Sequence, residues 1–121
     1  MTDKQTISRK QLETRLSTTL PDNEDAKSGY ALVNVLGSDA FEQEHIPRSI
    51  NIPLENLDAV GERFEKSKEI IVYCRSFDCD ASPKAAKRLK EQGFENVLDY
   101  EGGMRDWKAA GNMIEASEVR G

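Results

Sequence analysis

Apolar residues along this chain fall into short runs, some with the spacing of strands and others with the spacing of helices. YALVNVL at 30–36 and EIIVYC at 69–74 are continuous β-prone runs that predict buried strands. FENVLDY at 94–100 predicts a third strand, and a very short strand at 49–52 fits between two prolines. Buried runs of this kind are typical of parallel sheets.

Helical patterns lie between these strands. A first helix is predicted over about 8–19, where Ser8 and Gln11 have the spacing of a capping box. The strongest helical pattern covers residues 82–93, and weaker ones cover 39–45, 55–66 and 104–111. Strands separated by helices predict an α/β fold with a mostly parallel sheet flanked by helices.

A cysteine stands at the junction between the best strand and the best helix. Cys74 ends the 69–74 run, and Ser82 and Pro83 have the residue types of an N-cap and a first helical position. In open parallel sheets ligands bind beyond the carboxyl ends of the strands, where residues 74–81 would lie. Loop N–H groups and the helix N-terminus would stabilise a thiolate, so we expect a lowered pKa for Cys74. Plain packing of a strand-end cysteine is the alternative.

Composition and charge narrow the classes of protein. A chain of 121 residues predicts a single domain over 1–121, with its core at about 6–114. The formal charge of -5, without a basic patch, argues against a nucleic-acid partner. The first ten residues lack the apolar core of a secretion signal, and no run has the length of a membrane span, so we expect a cytoplasmic protein. Two cysteines in that compartment are expected as thiols, and they are too few for a structural zinc site.

Three segments together resemble the rhodanese-like domains. They are IIVYCRS at 70–76, the long stretch from SPKAAKRL to MRDWKAAG at 82–111, and ALVNVLGSDAFEQEHIPRSINIP at 31–53. The resemblance covers residues 6–114. It implies a five-stranded, mostly parallel sheet and a sulfurtransferase without a cofactor or metal. Such an enzyme moves sulfane sulfur from thiosulfate or a persulfide, through a cysteine persulfide, to cyanide or a thiol on a small molecule or a protein.

The resemblance also implies roles for individual residues. Cys74 matches the cysteine that carries the persulfide. The loop expected to cradle the outer sulfur consists of Arg75, Ser76, Phe77, Asp78, Cys79, Asp80 and Ala81. Family signature positions outside that loop are matched by His45, Pro47, Asn51, Pro53, Gly102, Gly103 and Trp107.

The chain departs from the family pattern at several positions. Asn34 and Leu36 replace the usual Asp and Arg, and Arg48 stands where glycine is usual. The active loop is about two residues longer than in the common single-domain members. Its carboxylates, Asp78 and Asp80, oppose both a thiolate and an anionic donor such as thiosulfate.

The roles of Cys79 and His45 each have two interpretations, and the protein as a whole has two alternative functions. Cys79 is either a packing residue, which we favour, or a resolving thiol for Cys74. His45 is interpreted as a structural residue of a turn rather than a base for the cysteine. The first alternative function is a non-catalytic interaction or redox-sensing module of the same family. The second is a phosphatase or arsenate reductase with a Cys-x5-Arg loop, which is disfavoured because Asp80 occupies the arginine position.

Overall fold

Four parallel strands form the sheet in residues 5–116. A computed structural model describes residues 5–116, and all statements on structure refer to that part of the chain. The strands are β1 (Tyr30–Asn34), β2 (Ile50–Asn51), β3 (Glu69–Tyr73) and β4 (Asn96–Tyr100). Their order across the sheet is β2-β1-β3-β4, with every neighbouring pair parallel. The predicted α/β architecture is confirmed.

Helices connect the strands and cover both faces of the sheet. They are α1 (Arg9–Thr18), α2 (Ser38–Gln43), α3 (Asp58–Arg63), α4 (Ala81–Glu91) and α5 (Gly103–Ala109), with a short 3-10 turn at Leu54–Asn56. The capping box at the start of α1 is confirmed: the Ser8 hydroxyl accepts the Gln11 N–H, and the Gln11 side chain accepts the Ser8 N–H.

The core consists of one hydrophobic cluster on each face of the sheet. Side chains alternate along β3, so that Ile70, Val72 and Cys74 point to one face while Ile71 and Tyr73 point to the other. The first face is covered by α3 and α4, and the second by α1 and α5. Both faces are therefore buried, which explains why the strands are continuous apolar runs.

The fifth strand implied by the family resemblance is reduced to a single bridge. Thr6 pairs with Asp99 in parallel at the outer edge of β4. The Ile7 N–H donates to the Asp99 carbonyl over 3.1 Å, and the Asp99 N–H donates to the Gln5 carbonyl over 3.1 Å. Because the chain turns into α1 immediately after Ser8, the ladder ends there, and four strands are present instead of five.

Two helices begin before the predicted positions, α2 by one residue and α4 by two. Ser38 is the first residue of α2, whose N-cap is Gly37, and Ser82 lies inside the first turn of α4, after Asp80 as N-cap. Neither N-cap makes a side-chain capping bond. The hydroxyl of Ser82 is consequently available for another contact. No helix in residues 5–116 has the length and apolar character needed to cross a membrane.

Candidate active site

Cys74 follows the last residue of a central strand and faces the helix that comes after it. Its side chain belongs to the cluster beneath α4 and is 1% exposed. Strand β3 lies between β1 and β4, so loops from three strand ends surround this position. Residues 74–80 thus form a strand-to-helix loop at the carboxyl edge of the sheet, and Ala81, predicted as the last loop residue, is the first residue of α4.

The sulfur of Cys74 has polar neighbours from two parts of the loop. Its thiol lies 3.6 Å from the Cys79 carbonyl oxygen and 3.5 Å from the Ser82 hydroxyl. Burial raises the pKa of the Cys74 thiol, and its hydrogen bond to the Cys79 side chain raises it further. The hydroxyl and N–H of Ser82 offset only part of this effect. The expectation of a lowered pKa for Cys74 is therefore wrong in this resting arrangement.

Cys79 is the more acidic of the two thiols. Burial opposes its ionisation, but hydrogen bonds from the Arg75 N–H, the Cys74 thiol and the Ala81 N–H outweigh burial and lower the pKa of Cys79. Two of the N–H groups expected to cradle a sulfur bound to Cys74, those of Arg75 and Ala81, are thus directed at the Cys79 sulfur. Cys79 is also half-buried and packs against the core. Its side chain can therefore serve in packing and also act on Cys74.

The rest of the loop separates into inner and outer residues. The Ser76 carbonyl accepts the Cys79 N–H over 3.0 Å and closes a turn. Phe77 is 71% exposed, and three charged side chains also face outward: Arg75, Asp78 and Asp80. The Asp80 carboxylate pairs with Lys84 over 3.2 Å at the surface, so its negative charge is partly offset.

The N-terminus of α5 is hydrogen-bonded to the first two residues of the loop. The Met104 N–H donates to the Cys74 carbonyl over 3.0 Å, and the Arg105 N–H donates to the Arg75 carbonyl over 2.8 Å. Gly103 has φ +63° and packs on the same backbone. This contact gives the Gly-Gly signature of the sequence a physical reason, since a side chain there would collide with the loop.

A groove of about 450 Å³ runs beside the loop. It is lined by Glu44, Arg75, Ser76, Met104, Arg105, Lys108 and Ala109. Lys108 is paired with Glu44 over 2.7 Å. Arg75 and Arg105 are two further cations of its lining, and the groove can therefore receive an anion.

The upstream signature residues support the fold beside the site. The His45 ring stacks on Phe41 with centroids 3.9 Å apart, and its Nδ1–H donates to the Phe41 carbonyl over 2.7 Å. Its Nε2 lies 3.6 Å from a carboxylate oxygen of Glu115. These contacts agree with the interpretation of His45 as a structural residue.

Around Asn34 and Leu36, where the family usually has an Asp and an Arg, the structure has hydrogen bonds between uncharged groups. The Asn34 side-chain oxygen accepts the Leu36 N–H over 2.8 Å. The Asn51 amide donates to the carbonyl oxygens of Asn34, over 3.1 Å, and Leu36, over 2.8 Å. Close by, Arg48 adopts φ +73°, the left-handed conformation that glycine would take without strain.

Two residues that contact the active loop were not identified as site residues from the sequence. Ser82 was interpreted as a helix cap, and Arg105 was not considered. The signal for Ser82 is its position in the first helical turn, where a side chain directed toward the N-terminus reaches the preceding loop. The signal for Arg105 is its place two residues after Gly103, on the helix that holds Cys74.

Comparison with known proteins links this geometry to named relatives. A thiosulfate sulfurtransferase, GlpE of Coxiella burnetii, is 32% identical over 83 residues, which are 69% of this chain and 76% of that protein. A second relative is named putative sulfur carrier protein YrkF and comes from Bacillus subtilis. It is 31% identical over 83 residues, which are 69% of this chain and 44% of that protein.

Two solved structures have a similar fold, and a family model matches most of this chain. BH2092 of Bacillus halodurans has a TM-score of 0.79 and 25% identity, covering 93% of this chain and 77% of that one. The Alr3790 protein of Anabaena has a TM-score of 0.78 and 26% identity, covering 93% and 94%. The family model of the rhodanese-like domain matches residues 14–110. This chain belongs to the rhodanese-like domain family.

Proposed function

We propose that this protein is a sulfurtransferase that carries sulfane sulfur as a persulfide on Cys74. The observation that carries the proposal is the position of that thiol. Cys74 directly follows a central parallel strand and begins the strand-to-helix loop, in a chain of the rhodanese-like family. Two relatives that align with this chain over 76% of their own length are named thiosulfate sulfurtransferases. Their names support sulfur transfer as the reaction.

The reaction needs the thiolate of Cys74. Burial and the neighbouring Cys79 side chain disfavour that thiolate, whereas the hydroxyl and the N–H of Ser82 favour it. The Cys74 thiolate then attacks the outer sulfur of thiosulfate. The sulfur–sulfur bond of thiosulfate breaks, sulfite leaves with the electron pair, and the outer sulfur remains on Cys74 as a persulfide anion.

An acceptor completes the cycle by attacking the outer sulfur. Cyanide would leave as thiocyanate, and a thiolate would leave as a new persulfide. In both cases the electron pair of the broken bond returns to Cys74 as a thiolate. The cations Arg75 and Arg105 favour an anionic donor or acceptor near the loop, whereas the exposed carboxylates of Asp78 and Asp80 oppose it.

The charge of the loop argues against the alternative function as a phosphatase or arsenate reductase. A Cys-x5-Arg loop clamps the oxyanion with its arginine, whereas here the sixth residue after Cys74 is Asp80. The carboxylate of Asp80 is exposed and pairs with Lys84. A doubly charged phosphate ester would meet repulsion at the position where it needs a cation.

Turnover with defined donors tests the proposal. The wild type is expected to produce thiocyanate from cyanide with thiosulfate or glutathione persulfide as donor, and Cys74→Ser is expected to produce none above the rate without protein. Hydrolysis of p-nitrophenyl phosphate is the control reaction. Phosphatase turnover lost in Cys74→Ser, without thiocyanate formation from any donor, would replace the proposal by its alternative.

A further inference from the structure

Cys79 lies directly against the Cys74 thiol, and this proximity has consequences for a sulfur bound to Cys74. The Cys79 carbonyl oxygen lies 3.6 Å from the Cys74 sulfur, and the Cys79 side chain packs against the same hydrophobic cluster as Cys74. The turn closed by the Ser76 carbonyl and the Cys79 N–H keeps Cys79 folded back over Cys74. A nucleophilic sulfur therefore stands beside the sulfur that would become the inner atom of a persulfide.

From this contact we propose that Cys79 discharges the Cys74 persulfide, releasing hydrosulfide and leaving a disulfide between Cys74 and Cys79. The inference rests on the proposed function, since it needs a persulfide on Cys74. It makes the protein a reductant of sulfane sulfur when no external acceptor arrives, in addition to a carrier.

The step balances as a thiol–disulfide exchange. The Cys79 thiolate attacks the inner sulfur of the protonated persulfide, and the new bond joins the sulfurs of Cys74 and Cys79. The bond between the Cys74 sulfur and the outer sulfur breaks, and its electron pair leaves with the outer sulfur as hydrosulfide. The outer sulfur is reduced, and the two cysteines are oxidised to a disulfide. A dithiol reductant must then restore both thiols before the next cycle.

The loop backbone favours this step over a long-lived persulfide. The N–H groups of Arg75 and Ala81 are directed at the Cys79 sulfur, where they stabilise its thiolate. A persulfide on Cys74 would have to compete with that thiolate for the same donors. Hydrosulfide is also a weaker base than an alkyl thiolate, which makes it the better leaving group.

Attack on the inner sulfur follows from where Cys79 lies. The approach of Cys79 is to the Cys74 sulfur itself, 3.6 Å from the Cys79 carbonyl oxygen, and this sulfur becomes the inner atom. Attack on the outer sulfur would instead move the persulfide to Cys79 without releasing hydrosulfide. The two outcomes have different masses and different products, so one experiment separates them.

The experiment is a single-turnover assay without reductant. Wild type, Cys79→Ser, Cys79→Ala and Cys74→Ser are loaded to completion with excess glutathione persulfide and desalted. Intact mass, released hydrosulfide and unreduced peptide maps are then followed over time. The wild type is expected to lose the added sulfur, release one hydrosulfide per chain, and finish with the two hydrogens fewer of an internal disulfide.

The variants separate this inference from the proposed function. Both Cys79 variants are expected to retain the added sulfur at least about tenfold longer than the wild type, because they lack the neighbouring nucleophile. A wild-type persulfide as long-lived as that of Cys79→Ser, or one that migrates to Cys79 without hydrosulfide, would overturn the inference and leave the proposed function standing. Absence of sulfur uptake at Cys74 in the wild type and both Cys79 variants would contradict the proposed function and the inference together.

Discussion

Gly103 packs directly on the backbone of Cys74. A Cβ atom at position 103 would lie 2.5 Å from the Cys74 carbonyl oxygen and 2.8 Å from the Arg75 carbonyl carbon. The close approach allows the first N–H groups of α5 to hold the carbonyls of the active loop. The position of the Cys74 sulfur therefore depends on a glycine on another element.

Gly103→Ala is predicted to destabilise the protein and to displace the active loop. The left-handed conformation and the collision together should cost about 2 to 4 kcal/mol in the free energy of unfolding. Gly111→Ala is the matched control, because Gly111 also has positive φ, +84°, but has open space around its Cα. Urea denaturation and the rate of sulfur uptake by folded protein measure both effects. Equal losses in the two variants would contradict the role of the contact.

Arg48→Gly is predicted to stabilise the protein. Arg48 is exposed and holds φ +73°, which glycine adopts without the steric cost of a side chain. Relative to Arg48→Ala, which removes the same side chain but keeps the strain, we expect a gain of about 1 kcal/mol. Thermal and urea unfolding check it, and an alanine variant as stable as the glycine variant would show that the strain is negligible.

Alkylation of the wild type is predicted to begin at Cys79. The pKa of Cys79 is lowered by backbone N–H groups, whereas burial raises the pKa of Cys74. As pH rises, the thiolate of Cys79 should form first, and iodoacetamide should modify it first. Peptide mapping after partial labelling between pH 6 and 10, a range of about four units around ordinary thiol values, identifies the order.

The variant Cys79→Ser refines the same prediction. Removing Cys79 removes the neighbour that raises the pKa of Cys74, so the inflection for Cys74 alkylation should move to lower pH than in the wild type. Preferential labelling of Cys74 in the wild type, or an inflection that moves to higher pH in the variant, would contradict the described coupling of the two thiols.

Charges around the loop are predicted to control uptake from thiosulfate. Asp78→Asn with Asp80→Asn should accelerate it and Arg105→Gln should slow it, each by roughly three- to tenfold at low salt. The effects should shrink as salt is raised, because exposed charges are screened. The measured quantity is the rate of sulfite release in a single turnover.

A matched control separates local charge from net charge. Glu24→Gln with Glu65→Gln makes the same change in net charge near the amino ends of β1 and β3, the opposite end of the sheet from Cys74. It should leave the rate of sulfite release unchanged. Equal acceleration by both double variants would mean that the loop carboxylates have no special place in the approach of the donor.

Much of the fold could be predicted because local patterns and packing agree. The strand runs are continuous and apolar because helices cover both faces of the sheet, and the first helix has a complete capping box. The fifth strand could not be assessed from local patterns, since residues 5–7 meet Asp99 only through the three-dimensional fold. Similarly, only the folded loop shows that Ser82 contacts Cys74 instead of capping α4.

The position of the site was predictable, but its electrostatics were not. The strand end and the helix start place Cys74 correctly from the sequence. Which sulfur the loop N–H groups reach depends on how residues 75–81 turn, and no local rule determines this. That turn directs the N–H groups of Arg75 and Ala81 to Cys79, so the pKa of Cys79 is lowered and the expected lowering of the Cys74 pKa is not found.

The central claim is that Cys74 carries the sulfur, and site-resolved mass spectrometry tests it most directly. The measurement is peptide mapping at low pH, without reduction, within seconds of mixing the protein with a stoichiometric sulfane donor. Short reaction times isolate uptake from any later exchange with Cys79. We predict one added sulfur on the peptide containing Cys74, assigned to that residue by fragmentation, and none in Cys74→Ser. A first-formed persulfide on Cys79, or one that still forms in Cys74→Ser, would contradict the account.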